Sequence, residues 1–220
     1  MIRLCIFDLD GTLINSLVDL ANATNYALVR SGFPKRETGE YILFLGEGLQ
    51  QLLQYAAGDE LNIETSRQLA ADFACYYNSH YADHTRPYEG IFELLNHLQA
   101  ENIKIAVLSN KPEEFVKIIV GHLFNQIVFS AIQGNTDDFP RKPDPASLKH
   151  ILEELNIKPE ETVYIGDSDI DVYTGQNAGV QVIGVTWGFR KREELESANA
   201  DYIVDSPQEI WTLVQTRNAI

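Results

Sequence analysis

Only two cysteines, Cys5 and Cys75, occur in the 220 residues. Two isolated thiols make no disulfide framework, which fits a reducing compartment and predicts a cytoplasmic protein. Positive charge is sparse as well: 17 Lys and Arg stand against 32 Asp and Glu, a net charge of −15. So acidic a chain lacks the basic patches that nucleic acid or an anionic membrane requires, and neither is expected as a partner. Long apolar runs are missing too. No stretch approaches the ~18 apolar residues of a membrane helix, and Asp8 and Asp10 interrupt the amino-terminal apolar stretch, which argues against a signal peptide. Internal repeats and low-complexity segments are also wanting. What is present is 45% hydrophobic and 22% charged residues, enough for a globular chain with one well-buried core and a smaller appendage.

The most telling run is Ile6-Phe7-Asp8-Leu9-Asp10-Gly11-Thr12-Leu13. Met1 to Phe7 reads as a buried parallel strand, with little room for a solvated face. Two acids at its carboxyl end lie where ligands bind in open α/β sheets. Alternation sends Asp8 and Asp10 to one side, and Gly11 allows a sharp turn. From Ile103 onward strands and helices alternate. The strands are expected at Ile103 to Ser109, Ile127 to Ile132, Thr162 to Ile165, Val180 to Thr186 and Tyr202 to Val204. Helices are expected at Pro112 to Leu123, Pro145 to Leu155, Asp169 to Ala178, near Glu193 and after Pro207, with one more at Glu89 to Gln99. The fold class is therefore α/β: a Rossmann-like parallel sheet core flanked by helices. Between Asn15 and Asp83 only helical periodicity is found, in three helices carrying Leu20, Leu52 and the run Ile63 to Tyr81. This predicts an inserted all-helical domain over 15–83, with the core formed by 1–14 and 84–220.

Three further segments follow strands of that core: Ser109-Asn110-Lys111-Pro112, Arg141-Lys142-Pro143-Asp144-Pro145 and Gly166-Asp167-Ser168-Asp169-Ile170-Asp171. All should converge with Asp8 and Asp10 on one rim of the sheet. Asp8, Asp10, Asp167 and Asp171 repel one another too strongly to share a site without a cation. Oxygen ligands with no His or Cys nearby select Mg²⁺. Ser109 and Lys142 supply a hydroxyl and a positive charge suited to phosphoryl oxygens. A carboxylate between metal and phosphate is a credible nucleophile.

As an ordered set these motifs resemble the haloacid dehalogenase-like superfamily of phosphatases, over nearly the whole chain. The resemblance implies a helical cap for 15–83, Asp8 as nucleophile forming an aspartyl-phosphate, and Asp10 as general acid and then base. It implies Mg²⁺ held by Asp8, the carbonyl of Asp10 and Asp167, with Asp171 supporting either as a ligand or from behind the ligands. Ser109 and Lys142 are implied to bind the phosphoryl group, with backbone N–H groups near Leu9, Asp10 and Asn110. Thr12, counted with these phosphate-binding residues, is expected to order the loop. Ser109-Asn110-Lys111-Pro112, Arg141-Lys142-Pro143-Asp144-Pro145, Thr186-Trp187-Gly188-Phe189 and Gly46-Glu47-Gly48-Leu49 further resemble the phosphoglycolate phosphatase branch. The expected function is Mg²⁺-dependent hydrolysis of a small phosphorylated metabolite, 2-phosphoglycolate first, by a monomer or homodimer. A phosphosugar mutase, a pyrophosphatase, a nucleotidase and a non-catalytic binding protein are the alternatives.

Other signals are weighed against plainer readings. Lys111, Arg86, Arg141 and Arg190 are possible phosphate contacts but read more simply as surface charges. His80 and His84 have the spacing of a helical metal pair, yet no third ligand accompanies them. Cys5 should be inert packing, and Trp187 and Tyr76-Tyr77 core or interface aromatics.

Overall fold

The computed structural model describes residues 1–58 and 61–219. In chain order the elements are β1 (Leu4–Phe7), β2 (Ile14–Asn15), α1 (Leu17–Arg30), α2 (Leu49–Ala57), α3 (Ile63–His80), β3 (Arg86–Pro87) and α4 (Ile91–Ala100). They continue as β4 (Lys104–Pro112), α5 (Glu113–Leu123), β5 (Ala131–Asn135), α6 (Ala146–Leu155), β6 (Thr162–Gly166) and α7 (Asp169–Ala178). The chain closes with β7 (Gln181–Val185), α8 (Arg192–Ser197), β8 (Tyr202–Val204) and α9 (Pro207–Asn218). The chain divides into two compact units: residues 1–15 with 87–220, and residues 16–86.

The larger unit holds a six-stranded parallel sheet in the order β5-β4-β1-β6-β7-β8. Its first strand is entirely buried because β4 and β6 flank it: Phe7 pairs with Val107 on one side and Ile165 on the other. Alternation gives Leu4 and Ile6 to one face, where they meet Ala106, Leu108 and Tyr164 and the α6 residues Leu148, Ile151 and Leu152. Each such buried side chain contributes roughly 1.5–3 kcal/mol relative to exposure. The i, i+3, i+4 spacing of those α6 residues is what turns that helix onto the sheet.

Two strands depart from the sequence expectation. β5 was expected over Ile127 to Ile132, but Ile127 closes a turn onto Phe124 (2.9 Å) and Val128 is exposed. The strand lies later, in the more polar Ala131–Asn135, because it is the sheet edge, where one flank has no partner strand. β4 was expected to end at Ser109 and instead runs to Pro112, with a register shift between Leu108 and Pro112 against β5. That irregularity turns the local side-chain directions.

In the smaller unit α1 packs against α3, through buried Leu20, Ala27 and Leu28 on one helix and Leu69, Phe73 and Tyr77 on the other. Arg30 and Asp72 join the two helices at 2.8 Å. The buried carboxylate of Asp19 accepts from the backbone of His84 and Thr85 and from the Thr85 hydroxyl at 2.7–3.1 Å. A short 3-10 segment, Thr38–Leu43, was not anticipated. Gly46 and Gly48 both have positive φ ahead of α2. His80 ends α3, pairs with Asp83 at 2.7 Å and stacks on Tyr76. His84 lies beyond the helix, so the helical spacing of the two histidines does not arise.

Candidate active site

Asp8 follows β1 directly, and its N–H still donates to the Ile165 carbonyl at 2.9 Å. Its carboxylate is thereby fixed between the ends of β4 and β6. Gly11, at φ 90, turns the chain where a Cβ would overlap the Asp167 carboxylate. Asp167 and Asp171 arrive from the β6–α7 junction. Ser168 caps α7 there: its hydroxyl donates to Asp171 Oδ2 at 2.7 Å, and its N–H does so at 3.1 Å. A carboxylate in the first turn of a helix is favourably placed against the helix dipole.

Lys142 is the hub. Its Nζ lies 3.0 Å from Asp8 Oδ1, 2.7 Å from Asp171 Oδ1 and 3.0 Å from the Tyr164 hydroxyl. The side chain is 4% exposed. Asn110 clamps the Lys142 backbone from both sides, accepting from its N–H at 2.9 Å and donating to its carbonyl at 3.2 Å. Ser109 is buried, with its Oγ 3.4 Å from the Lys111 N–H. Thr12 is fully buried and its hydroxyl donates to Asp167 Oδ1 at 3.3 Å. Trp187 donates its indole N–H to the Thr12 carbonyl at 3.1 Å, and the Phe189 N–H donates to Asp167 Oδ2 at 2.7 Å.

The electrostatics follow from burial. Burial pushes the Asp8 carboxyl up to about 7, against the pull of Lys142 and with added push from Asp171 and Asp10. Asp167 is raised well above the carboxylate range, again by burial first and then by the charges of Asp171 and Asp8. Burial alone would depress Lys142, but Asp171 and Asp8 overcome it and hold the ammonium well above its ordinary value.

The donor set fits a hard divalent cation. Oxygens of Asp8, Asp167 and Asp171 lie within 4.8 Å of one another. Asp8 Oδ1 is buried and has no well-directed hydrogen bond among the described residues. One ammonium does not offset three buried carboxylates, as the upward push on Asp8 and Asp167 shows, and a divalent ion would supply the missing positive charge. Nitrogen and sulfur ligands are absent from this described cluster, which favours Mg²⁺-type ions over zinc. Asp171 has the least freedom to serve as a ligand, since both of its oxygens already accept hydrogen bonds.

The structure thus brings Asp8, Asp10, Thr12, Ser109, Asn110, Lys142, Asp167 and Asp171 to one rim of the sheet. It corrects one reading: Lys111 is no surface charge. It is 6% exposed, and its Nζ sits 2.9 Å from both carboxylate oxygens of Asp10. Tyr164 and Trp187 also belong to the site, and nothing in their sequence context distinguished them from core aromatics. Arg190 pairs with Glu194 at 3.2 Å, and Arg86 binds carbonyls of Ala82, Asp83 and Thr85. Cys5 is buried, which pushes its thiol up and away from reactivity.

A parallel sheet whose central strand delivers a carboxylate onto a buried lysine and two further carboxylates makes a Rossmann-like α/β core with an acidic site at its strand ends. The chain matches the family model of haloacid dehalogenase-like hydrolases over residues 5–185, and it belongs to that family. It is 33% identical over 204 residues to a phosphoglycolate phosphatase of Psychrobacter arcticus, covering 90% of this chain and 89% of that one. To the phosphoglycolate phosphatase of Pseudomonas putida it is 31% identical over 213 residues, 92% of this chain and 76% of the other. A crystal structure described as a predicted phosphoglycolate phosphatase from Haemophilus somnus superposes with TM-score 0.89 at 29% identity, covering 97% and 98% of the two chains. The protein is accordingly a phosphoric monoester hydrolase similar to phosphoglycolate phosphatases.

Proposed function

We propose that this chain hydrolyses a small phosphate monoester, 2-phosphoglycolate first, through an aspartyl-phosphate formed on Asp8. The observation that carries the reading is Asp8 itself: a buried strand-end carboxylate with Oδ1 3.0 Å from Lys142 Nζ. Phosphorus in a dianionic ester repels a carboxylate nucleophile. Lys142 offsets that repulsion by binding the equatorial oxygens, with the Ser109 hydroxyl as a further donor. Asp8 attacks phosphorus, the ester oxygen leaves with a proton from Asp10, and Asp10 then takes a proton from the water that cleaves the acyl-phosphate. Asp171, locked by Ser168 and Tyr164, positions Lys142. Thr12 and the Phe189 N–H orient Asp167.

Asp8, the Asp10 carbonyl and Asp167 would hold Mg²⁺, with Asp171, whose oxygens already accept hydrogen bonds, supporting them from behind. When bound, the ion supplies charge neutralisation between the nucleophile and the phosphoryl oxygens. Residues 15–83, entered just after Thr12 in the chain, are proposed to act as a cap that selects the substrate. A small, soluble, dianionic substrate and the two unpaired thiols suit a cytoplasmic setting.

The test is phosphate release from 2-phosphoglycolate, sugar phosphates, nucleotides and pyrophosphate, with Mg²⁺ and with chelator. Mg²⁺-dependent release favouring 2-phosphoglycolate is expected. A preference for a nucleotide or pyrophosphate would replace the substrate, and turnover indifferent to chelator would remove the metal.

A further inference from the structure

Lys111 is absorbed by none of the roles above, yet it is among the most deliberately placed cations in the larger unit. It sits where β4 loses register with β5, between Leu108 and Pro112. A regular strand alternates its side chains, whereas an irregularity re-aims them. Here it directs Lys111 inward, with its side chain 4% exposed, onto Asp10 at 17% exposure. The ammonium straddles Asp10, 2.9 Å from each oxygen. Asp8 is two residues away on the same strand end.

The pair raises a difficulty for proton transfer at Asp10. Both carboxylate oxygens are directed to one ammonium, so neither is turned toward an ester oxygen seated over Asp8. A substrate that merely carries a phosphoryl group has nothing to offer Lys111 in exchange. A substrate with a second anion close to its ester oxygen does. In a phosphorylated 2-hydroxy acid, where the carboxylate is borne by the ester carbon itself, the second anion falls beside Asp10 when the ester oxygen faces it. Without a cation there these two carboxylates would repel; Lys111 gives the substrate's carboxylate a partner as it lets go of Asp10.

We propose that Lys111 forms the carboxylate subsite of the enzyme, exchanging Asp10 for the substrate's carboxylate and so releasing Asp10 toward the ester oxygen. This deepens, and rests on, the reading of the chain as a small-ester phosphatase. Lys111 is a positioning and specificity residue; the exchange transfers hydrogen bonds only, and no covalent bond is made or broken by it. The exchange also makes chemistry conditional. A phosphate ester without the second anion leaves Asp10 engaged, so discrimination falls on kcat as well as on KM.

The experiment compares 2-phosphoglycolate with its neutral isostere, carbamoylmethyl phosphate, in wild-type protein, Lys111→Met and Lys111→Arg, each with Mg²⁺. In wild type, kcat/KM should favour the carboxylate by about tenfold or more, the size of a buried charge-assisted contact. In Lys111→Met the ratio should collapse toward unity, with kcat on the carboxylate substrate falling alongside a rise in KM. Lys111→Arg keeps the charge and should recover part of the ratio, which a purely structural role would not produce. An unchanged ratio in Lys111→Met, or equal losses on both substrates in both variants, overturns the subsite. Wild-type protein that cleaves p-nitrophenyl phosphate but neither test substrate also overturns it while leaving the phosphatase reading intact. Wild-type protein that cleaves none of the three overturns both.

Discussion

Lys142 is the cation that Asp8 and Asp171 share, so Lys142→Met would leave two buried carboxylates facing each other. Breaking a buried pair from one side costs about 3–5 kcal/mol. Urea unfolding of metal-free protein should register that loss together with abolished turnover, and a variant with the wild-type midpoint would refute the hub role. Asp8→Asn makes a gentler change: the amide keeps the shape and removes the nucleophile. Turnover should vanish while the fold stays, and residual turnover near wild type would reassign the attack. Acidity gives a third expectation. The Asp8 carboxyl, ordinarily near 3.8, is pushed up to about 7 by burial despite Lys142, and Asp167 moves in the same direction. A carboxyl that holds its proton more tightly folded than unfolded stabilises fully below its unfolded value, and that contribution is lost as pH rises through the folded one. Metal-free protein should therefore lose stability from about pH 4 to about pH 7, on the order of 10 °C in Tm. Asp8→Asn should flatten that slope; a metal-free Tm that climbs across this range in wild type would contradict the assignment.

At the scale of elements, the site depends on how closely β6 approaches α7. A Cβ on Gly166 would overlap Cβ and Cγ of Asp171, so Gly166→Ala must displace either the strand or the carboxylate that aims Lys142. The expected cost is about 1–3 kcal/mol with a marked fall in kcat; full activity at wild-type Tm would show that the junction yields freely. The same elements show what a sequence discloses. The bounds of α7, Asp169–Ala178, were legible in full, because Ser168 caps one end and Gly179, at φ 73, stops the other. The spacing of Leu148, Ile151 and Leu152 likewise disclosed the buried face of α6. β5 was misplaced because an edge strand carries too few apolar residues to announce itself, while the apolar Ile127-Val128-Phe129 nearby forms no strand. Lys111 was hidden for another reason. Its direction depends on a lapse in register between two strands, and no local pattern in Ser109-Asn110-Lys111-Pro112 encodes that lapse. The convergence of Asp8, Lys142 and Asp167, by contrast, needed only the rule that ligands gather at strand carboxyl ends.

For the molecule as a whole, charge and topology matter most. A net charge of −15 repels any phosphate ester at long range, while Lys142 and Lys111 attract only at contact. Salt screens the first effect more than the second, since buried pairs are shielded from ions. Raising ionic strength from about 0.02 to about 0.2 M should therefore raise kcat/KM, about twofold; a steady decline instead would indicate long-range attraction. Topology carries a consequence of a different kind, about time. β1 occupies the middle of the sheet, where Leu4 pairs with Lys104 and Thr162. Ribosomes add about 5–20 residues per second, so the strand bearing the nucleophile is made well before either neighbour and waits several seconds for the nearer one. Meanwhile α1 and α3, whose contacts are with each other, can already meet. The insertion that divides the core in sequence thus becomes a nascent chain's first opportunity to fold, and the active site among its last.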